Sequence, residues 1–161
     1  MNIYDFAMTM EEEGAELYRT LHRKVTNKGL KSILELLIQA EEQHYLTFKK
    51  MKDRQTPDTV QTDILRDTHD IFVEFAGEMK ELTGVKDQVE WYREAREIEK
   101  KMESFYREKA SEMTEEEQRT AFLAIAEEEK KHSFLLENII EFVSRPRQWV
   151  EDAEFSQLRE Y

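Results

Sequence analysis

The sequence predicts an all-α protein: a four-helix bundle of two repeated helical hairpins, with a long crossover connection and a short C-terminal helix. Three observations predict it. Apolar residues recur at alternating three- and four-residue steps, the period of a helix facing a core. Gly 4 and Pro 2 in 161 residues leave too few turns for a sandwich, barrel or propeller of many short strands. An ungapped repeat at an offset of 88 pairs Ala7, Glu11, Tyr18, Arg19, Glu41 and His44 with Ala95, Glu99, Tyr106, Arg107, Glu129 and His132. Two hairpins of one design, joined by a long connection, make a bundle with one crossover.

The elements follow in order. A first helix is predicted over about Tyr4 to Lys24, with Asn27-Lys28-Gly29 as its stop, and a second over about Leu30 to Met51. Pro57, in Asp53-Arg54-Gln55-Thr56-Pro57-Asp58, lacks the amide hydrogen a helix interior needs and marks a loop. A connecting helix is expected over about Thr62 to Leu82, stopping at Thr83-Gly84. The third main helix spans about Asp87 to Ala110. Thr114 with Glu117 three residues on is a capping-box signature for the fourth, which runs to about Val143. Pro146 ends it and opens a short final helix carrying Trp149, Val150 and Phe155. The chain reads as one domain over residues 1–161, with the bundle at about 4–143 and a C-terminal extension at 144–161.

Composition narrows the function. A chain of this size buries roughly 70% of its unfolded surface, so a core is possible despite 37% charged residues. A net charge of −12 supplies no basic surface for nucleic acid. Cys 0 excludes disulfides, thiolate zinc sites, iron–sulfur clusters and a thiol nucleophile. No apolar run approaches the ~20 residues that span a bilayer, and Met1-Asn2-Ile3-Tyr4-Asp5 is not a signal sequence. A cytoplasmic protein without a membrane partner is expected.

The seams hold the informative residues. They read Tyr4, Ala7, Glu11, Gly14, Tyr18, Leu21, Val25; then Leu34, Leu37, Glu41, His44, Phe48, Met51; then Tyr92, Ala95, Glu99, Met102, Tyr106; then Phe122, Ile125, Glu129, His132, Leu136, Ile139, Val143. Each stripe is apolar except in its middle, where it carries Glu, or Glu with His three residues later. Glu11 and Glu41 have residue 26 as their midpoint, and Glu99 and Glu129 have residue 114. Both midpoints lie in turns, so all four carboxylates stand roughly 22 Å along their helices and share one height.

Four carboxylates in a bundle interior cost several kcal/mol each without partners. Protonation is one remedy. Two divalent cations are another: their charge of +4 balances four carboxylates, and the neutral rings of His44 and His132 complete the coordination. Glu and His suit iron or manganese, and a Glu from each of two helices with Glu-x-x-His from the other two is the known di-iron pattern of such bundles. An isolated Glu-x-x-His carries little weight among 36 acidic residues; six residues that are repeated, level and on the seam carry much more. Glu12, Glu13, Glu42, Glu127 and Glu128 lie off the seams and read as solvated surface. His22 and His69 have no repeat partner and read as surface or interface residues. Tyr18 and Tyr106 are either plain core aromatics or phenols that hydrogen-bond a ligand carboxylate.

At Glu11-Glu-Glu-Gly-Ala-Glu-Leu-Tyr18, Ala40-Glu-Glu-Gln-His44, Ile98-Glu-Lys-Lys-Met-Glu-Ser-Phe-Tyr106 and Ala126-Glu-Glu-Glu-Lys-Lys-His132, the chain resembles the rubrerythrin group of the ferritin-like superfamily. The resemblance runs from about Ala7 to Val143. It implies that Glu41 and Glu129 bridge two metals, that Glu11 and Glu99 are terminal ligands, and that His44 and His132 bind one metal each; these six are also the catalytic candidates. It also implies a homodimer. Three departures shape what is carried over. Full-length rubrerythrins have a rubredoxin-like tail with a four-cysteine iron, and this chain has no cysteine, so the electron donor is expected to be separate, such as a rubredoxin. Peroxide-reducing members move one iron with a further glutamate three residues after the third-helix ligand, where this chain has Met102 followed by Glu103. Glu42 replaces the haem-ligating Met of bacterioferritins, so no haem is expected.

Three functions compete: a redox enzyme that passes two electrons from a reduced pair of irons to O₂ or peroxide, an iron-oxidising or iron-handling protein, and a metal-free bundle that packs against a partner.

Overall fold

The computed structural model describes residues 2–54, 63–74 and 88–144, in which there are five helices and no strand. Helix α1 covers Ile3–Lys24. The Asn2 side chain accepts from the Asp5 backbone N–H at 2.8 Å, while Arg23 and Lys24 place cations at the other, carbonyl end. The chain leaves the helix at an extended Val25, and α2 covers Lys28–Lys52. The predicted stop at Asn27-Lys28-Gly29 is therefore shifted: Val25 to Asn27 form the turn, and Lys28 and Gly29 are already helical. Asn27 acts as an N-cap, accepting from the Leu30 N–H at 2.9 Å.

Helix α3 covers Ile64–Glu74 and buries Ile64 and Leu65 against the bundle. The rest of the predicted connecting helix, the Pro57 loop and the Thr83-Gly84 stop lie outside the described residues, as does the C-terminal extension with Trp149, Val150 and Phe155. Helix α4 covers Val89–Glu112 and α5 covers Glu116–Ser144. The Glu115 carbonyl accepts from the Arg119 N–H, so the cap of α5 is Glu115 and the predicted Thr114 box is one residue out of register. Glu116 and Glu117 put negative charge at the first turn.

Helices α1 and α2 pack along each other, as do α4 and α5. The hairpins meet in opposite orientations. One apolar cluster joins Leu21, Leu30 and Leu34, near the first turn, to Leu136, Ile139 and Val143 at the open end of the other hairpin. The second joins Ala7, Phe48 and Met51 to Tyr106, Phe122 and Ile125, near the second turn. Its aromatic rings pack tightly, with Phe48 and Phe122 centroids 5.1 Å apart. A level far from both turns lies at mid-height of both hairpins, so the carboxylates coincide even though the hairpins run in opposite senses. The two apolar clusters enclose that level from either end. Among the described residues, no helix is long and apolar enough to cross a membrane.

Candidate metal centre

Each seam delivers its polar residue to the interior. Glu11 from α1, Glu41 and His44 from α2, Glu99 from α4, and Glu129 and His132 from α5 are all at most 2% exposed. They form two overlapping groups. Glu11, Glu41, His44 and Glu129 offer donor atoms within 4.8 Å of one another, and so do Glu41, Glu99, Glu129 and His132. Glu41 and Glu129 belong to both groups, while each histidine belongs to one.

The imidazoles lie across from each other, 5.8 Å between centroids and 11° from parallel. Each aims Nδ1 inward: His44 Nδ1 stands 2.8 Å from Glu129 Oε1 and 3.3 Å from Glu11 Oε2, and His132 Nδ1 stands 3.3 Å from Glu41 Oε1 and 3.4 Å from Glu99 Oε1. Donors about 2.1 Å from a shared ion, at right angles, stand about 3 Å apart. Both oxygens of Glu41 and of Glu129, one each of Glu11 and Glu99, and all four ring nitrogens are buried without a hydrogen-bond partner. A native interior satisfies such atoms almost without exception. Hard oxygens and imidazole nitrogens, converging and unsatisfied, fit a pair of divalent iron or manganese ions.

The electrostatics of the metal-free cluster show what a cation relieves. Burial pushes the Glu41 carboxyl well above the ordinary range, and the charges of Glu11, Glu129 and Glu99 push it further. Burial, then Glu99 and Glu11, do the same to Glu129. Burial works to raise Glu99 too, but its contacts with Glu129, His132 and Glu41 outweigh that and hold it low. Burial would lower His44, yet Glu11 and, further off, Glu128 and Glu99 raise it.

Both tyrosines serve carboxylates, and they do so across the hairpin interface. Tyr18 donates its phenol to Glu99 Oε1 at 2.5 Å, and Tyr106 donates to Glu11 Oε1 at 2.8 Å. Burial, with the nearby carboxylates, raises both phenols well above their usual range, so they stay protonated donors. Each fixes one oxygen of its carboxylate, Oε1 of Glu99 or of Glu11. Tyr18→Phe and Tyr106→Phe should each weaken metal binding about 10–100-fold in a titration, with helical content unchanged. Unaltered affinity would leave the phenols only a packing role.

The off-seam acids divide. Glu12, Glu13 and Glu42 are exposed and Glu127 is half-exposed, with Arg19 on Glu42 and Arg107 on Glu127. Glu128 corrects the surface reading: it is 1% exposed, with Lys131 Nζ 3.7 Å from its carboxylate. Glu128 belongs to a second buried stripe on α5, Ala121, Glu128, Leu135 and Phe142, in steps of seven. That stripe was the available signal. His22 is part-exposed and lies 3.0 Å from Glu35; the side chain of His69 lies outside the described residues.

The family model for rubrerythrin matches residues 2–140. The chain belongs to the rubrerythrin family. Its bundle is thus of the ferritin-like kind, and the rubrerythrin motifs quoted above all fall inside the matched span. No curated protein and no solved structure is significantly similar to the chain.

Proposed function

We propose that this member of the rubrerythrin family is a di-iron carboxylate redox protein that reacts with O₂ or peroxide at the Glu11, Glu41, His44, Glu99, Glu129 and His132 cluster. The observation that carries the reading is the pair of overlapping donor groups sharing Glu41 and Glu129. When bound, two ferrous ions supply the two electrons that reduce an O–O bond.

The chain's own residues do the rest. Glu41 and Glu129, common to both groups, would hold both ions; Glu11 and His44 would hold one, and Glu99 and His132 the other, the histidines through Nδ1. The Tyr18 and Tyr106 hydroxyls keep their protons and orient Glu99 and Glu11. The apolar clusters above and below exclude water from that level. A donor such as a rubredoxin supplies the electrons.

Met102 favours a second reading, in which iron is oxidised and handed on without peroxide turnover. It is 1% exposed at the spacing where a moving glutamate would stand, and a thioether cannot offset the charge of ferric iron. Glu103 points about 100° further round α4 and is held by Arg107 at 2.8 Å. Anaerobic loading with ferrous iron, then stopped-flow mixing with O₂ and peroxide in turn, separates the readings. Oxidation by either oxidant with re-reduction by reductase and rubredoxin supports the enzyme; a single oxidation without turnover supports iron handling. Met102→Glu is expected to raise peroxide turnover about tenfold or more, ~1.4 kcal/mol of barrier. Fast turnover by the unmodified protein would show that the missing glutamate is not needed.

A further inference from the structure

We propose that divalent metal reaches the buried cluster through a cavity between α1 and α2, with Glu11 and Glu41 at its floor and Glu12 and Glu42 at its mouth. The inference rests on the metal-centre reading and adds a route to it. The cavity holds about 270 Å³. Its floor is made of fully buried carboxylates, and both Glu41 oxygens and Glu11 Oε2 lack a hydrogen-bond partner. Its rim residues Glu12 and Glu42 are exposed. It therefore leads inward from solvent and stops just short of carboxylate atoms that need a cation.

Small residues leave room on this side. Ala15 lines the cavity. Gly14, next to it in the chain, lets α1 approach the Glu41 carboxylate closely, since an added Cβ would stand 3.4 Å from its Cδ and Oε2. The repeat shows what the same position looks like when filled. Gly14 and Ala15 correspond to Met102 and Glu103; Met102 is buried, and Glu103 is 22% exposed and tied to Arg107.

Charge changes sign between the hairpins at the same two places. Glu12-Glu13 on α1 corresponds to Lys100-Lys101 on α4, and Glu42-Gln43 on α2 to Lys130-Lys131 on α5. A divalent cation is drawn to the first face and repelled by the second. Arg19 also lines the cavity, but Glu42 at 2.8 Å and Glu16 at 3.4 Å offset its charge. Steering of this kind changes association rates by about 10–10³-fold and fades with salt.

The test is stopped-flow loading of the metal-free full chain with Co²⁺ alone, read by its ligand-field absorption, with stoichiometry measured at equilibrium. Glu12→Lys with Glu42→Lys should slow loading about tenfold or more at low salt, less at high salt, with full stoichiometry retained. Ala15→Leu should slow it at every salt concentration. Lys100→Glu with Lys130→Glu should leave the rate within about twofold. The mouth substitutions fall on exposed residues, so they decide the matter even if Ala15→Leu fails to fold. An unchanged low-salt rate in the mouth variant, or acceleration by the lysine reversals, overturns the path while leaving the metal centre standing. Failure of the unmodified chain to bind Co²⁺ stoichiometrically overturns the metal centre, and the path with it.

Discussion

Glu41→Ala and Glu129→Ala each abolish binding of the metal pair, whereas Glu42→Ala leaves it intact. Glu41 and Glu129 each contribute to both donor groups, so removing either one strips an oxygen from both ion positions at once. Their neighbours cannot fill in. Glu42 is exposed and bound by Arg19 at 2.8 Å, and Glu128, though buried, lies outside both groups. Glu11→Ala and Glu99→Ala touch one group each and should weaken one position more than the other. Metal content after desalting checks this, with circular dichroism showing that the helices persist. Equal loss in the Glu42 variant would mean that the helical register is wrong.

The second large effect is on stability, and its sign is the reverse of what a catalytic cluster usually suggests. In the metal-free chain, burial and mutual repulsion hold the Glu41 and Glu129 carboxyls above their ordinary range. A carboxyl raised on folding contributes stability that is complete below its unfolded pKa, about 4.3, and is lost as pH rises through its folded value. His44, also raised, acts in the same direction: its contribution is present below about 6.5 and fades as pH climbs through its folded value. Glu99, held low, works the other way, but its contribution is lost only on acidification below the unfolded carboxyl range. Above about pH 4.3, then, the metal-free protein loses stability as pH rises, until these groups have given up their protons. Bound metal removes that slope, because the charged carboxylates then have a partner.

Glu129→Gln follows from the same balance. At neutral pH the metal-free variant should be more stable than the metal-free parent by roughly 1–4 kcal/mol, since it neither takes up a proton nor buries a charge there on folding. For a domain of this size, each kcal/mol is about 2–4 °C in Tm. Ferrous iron should stabilise the parent by about 4 kcal/mol at a thousandfold excess over its dissociation constant. It should do little for the variant. Thermal melts with and without iron, at pH 5.5 and 7.5, read both effects. A metal-free parent that gains stability with pH would show that the carboxylates are not buried together.

Much of this centre was legible in the sequence because its residues break a rule. Glu11, Glu41, His44, Glu99, Glu129 and His132 are polar on otherwise apolar stripes, and the offset of 88 separates them from 36 acidic residues scattered elsewhere. The turns were legible as well: the midpoints at 26 and 114 fall in the observed breaks between helices. What stayed hidden needed information from more than one segment. Asn27 can end one helix or cap the next, and only the Leu30 N–H at 2.9 Å decides for the cap. Thr114 and Glu117 have capping-box spacing, but Glu115 caps the helix, one residue on, because the box is only a local preference. Glu128 is buried on a second stripe of α5, off the metal seam, which a reading of one core-facing stripe per helix leaves out. Tyr18 sits seven residues from Glu11 yet donates to Glu99, 81 positions away, a pairing that depends on how the hairpins face each other.

The most direct measurement of the central claim is anomalous diffraction at the iron edge from crystals loaded anaerobically with ferrous iron. Two peaks about 3.5–4 Å apart are expected, between His44 Nδ1 and His132 Nδ1, with Glu41 and Glu129 touching both and Glu11 and Glu99 touching one each. A single peak, or peaks only among the exposed acids such as Glu12 and Glu42, would contradict it.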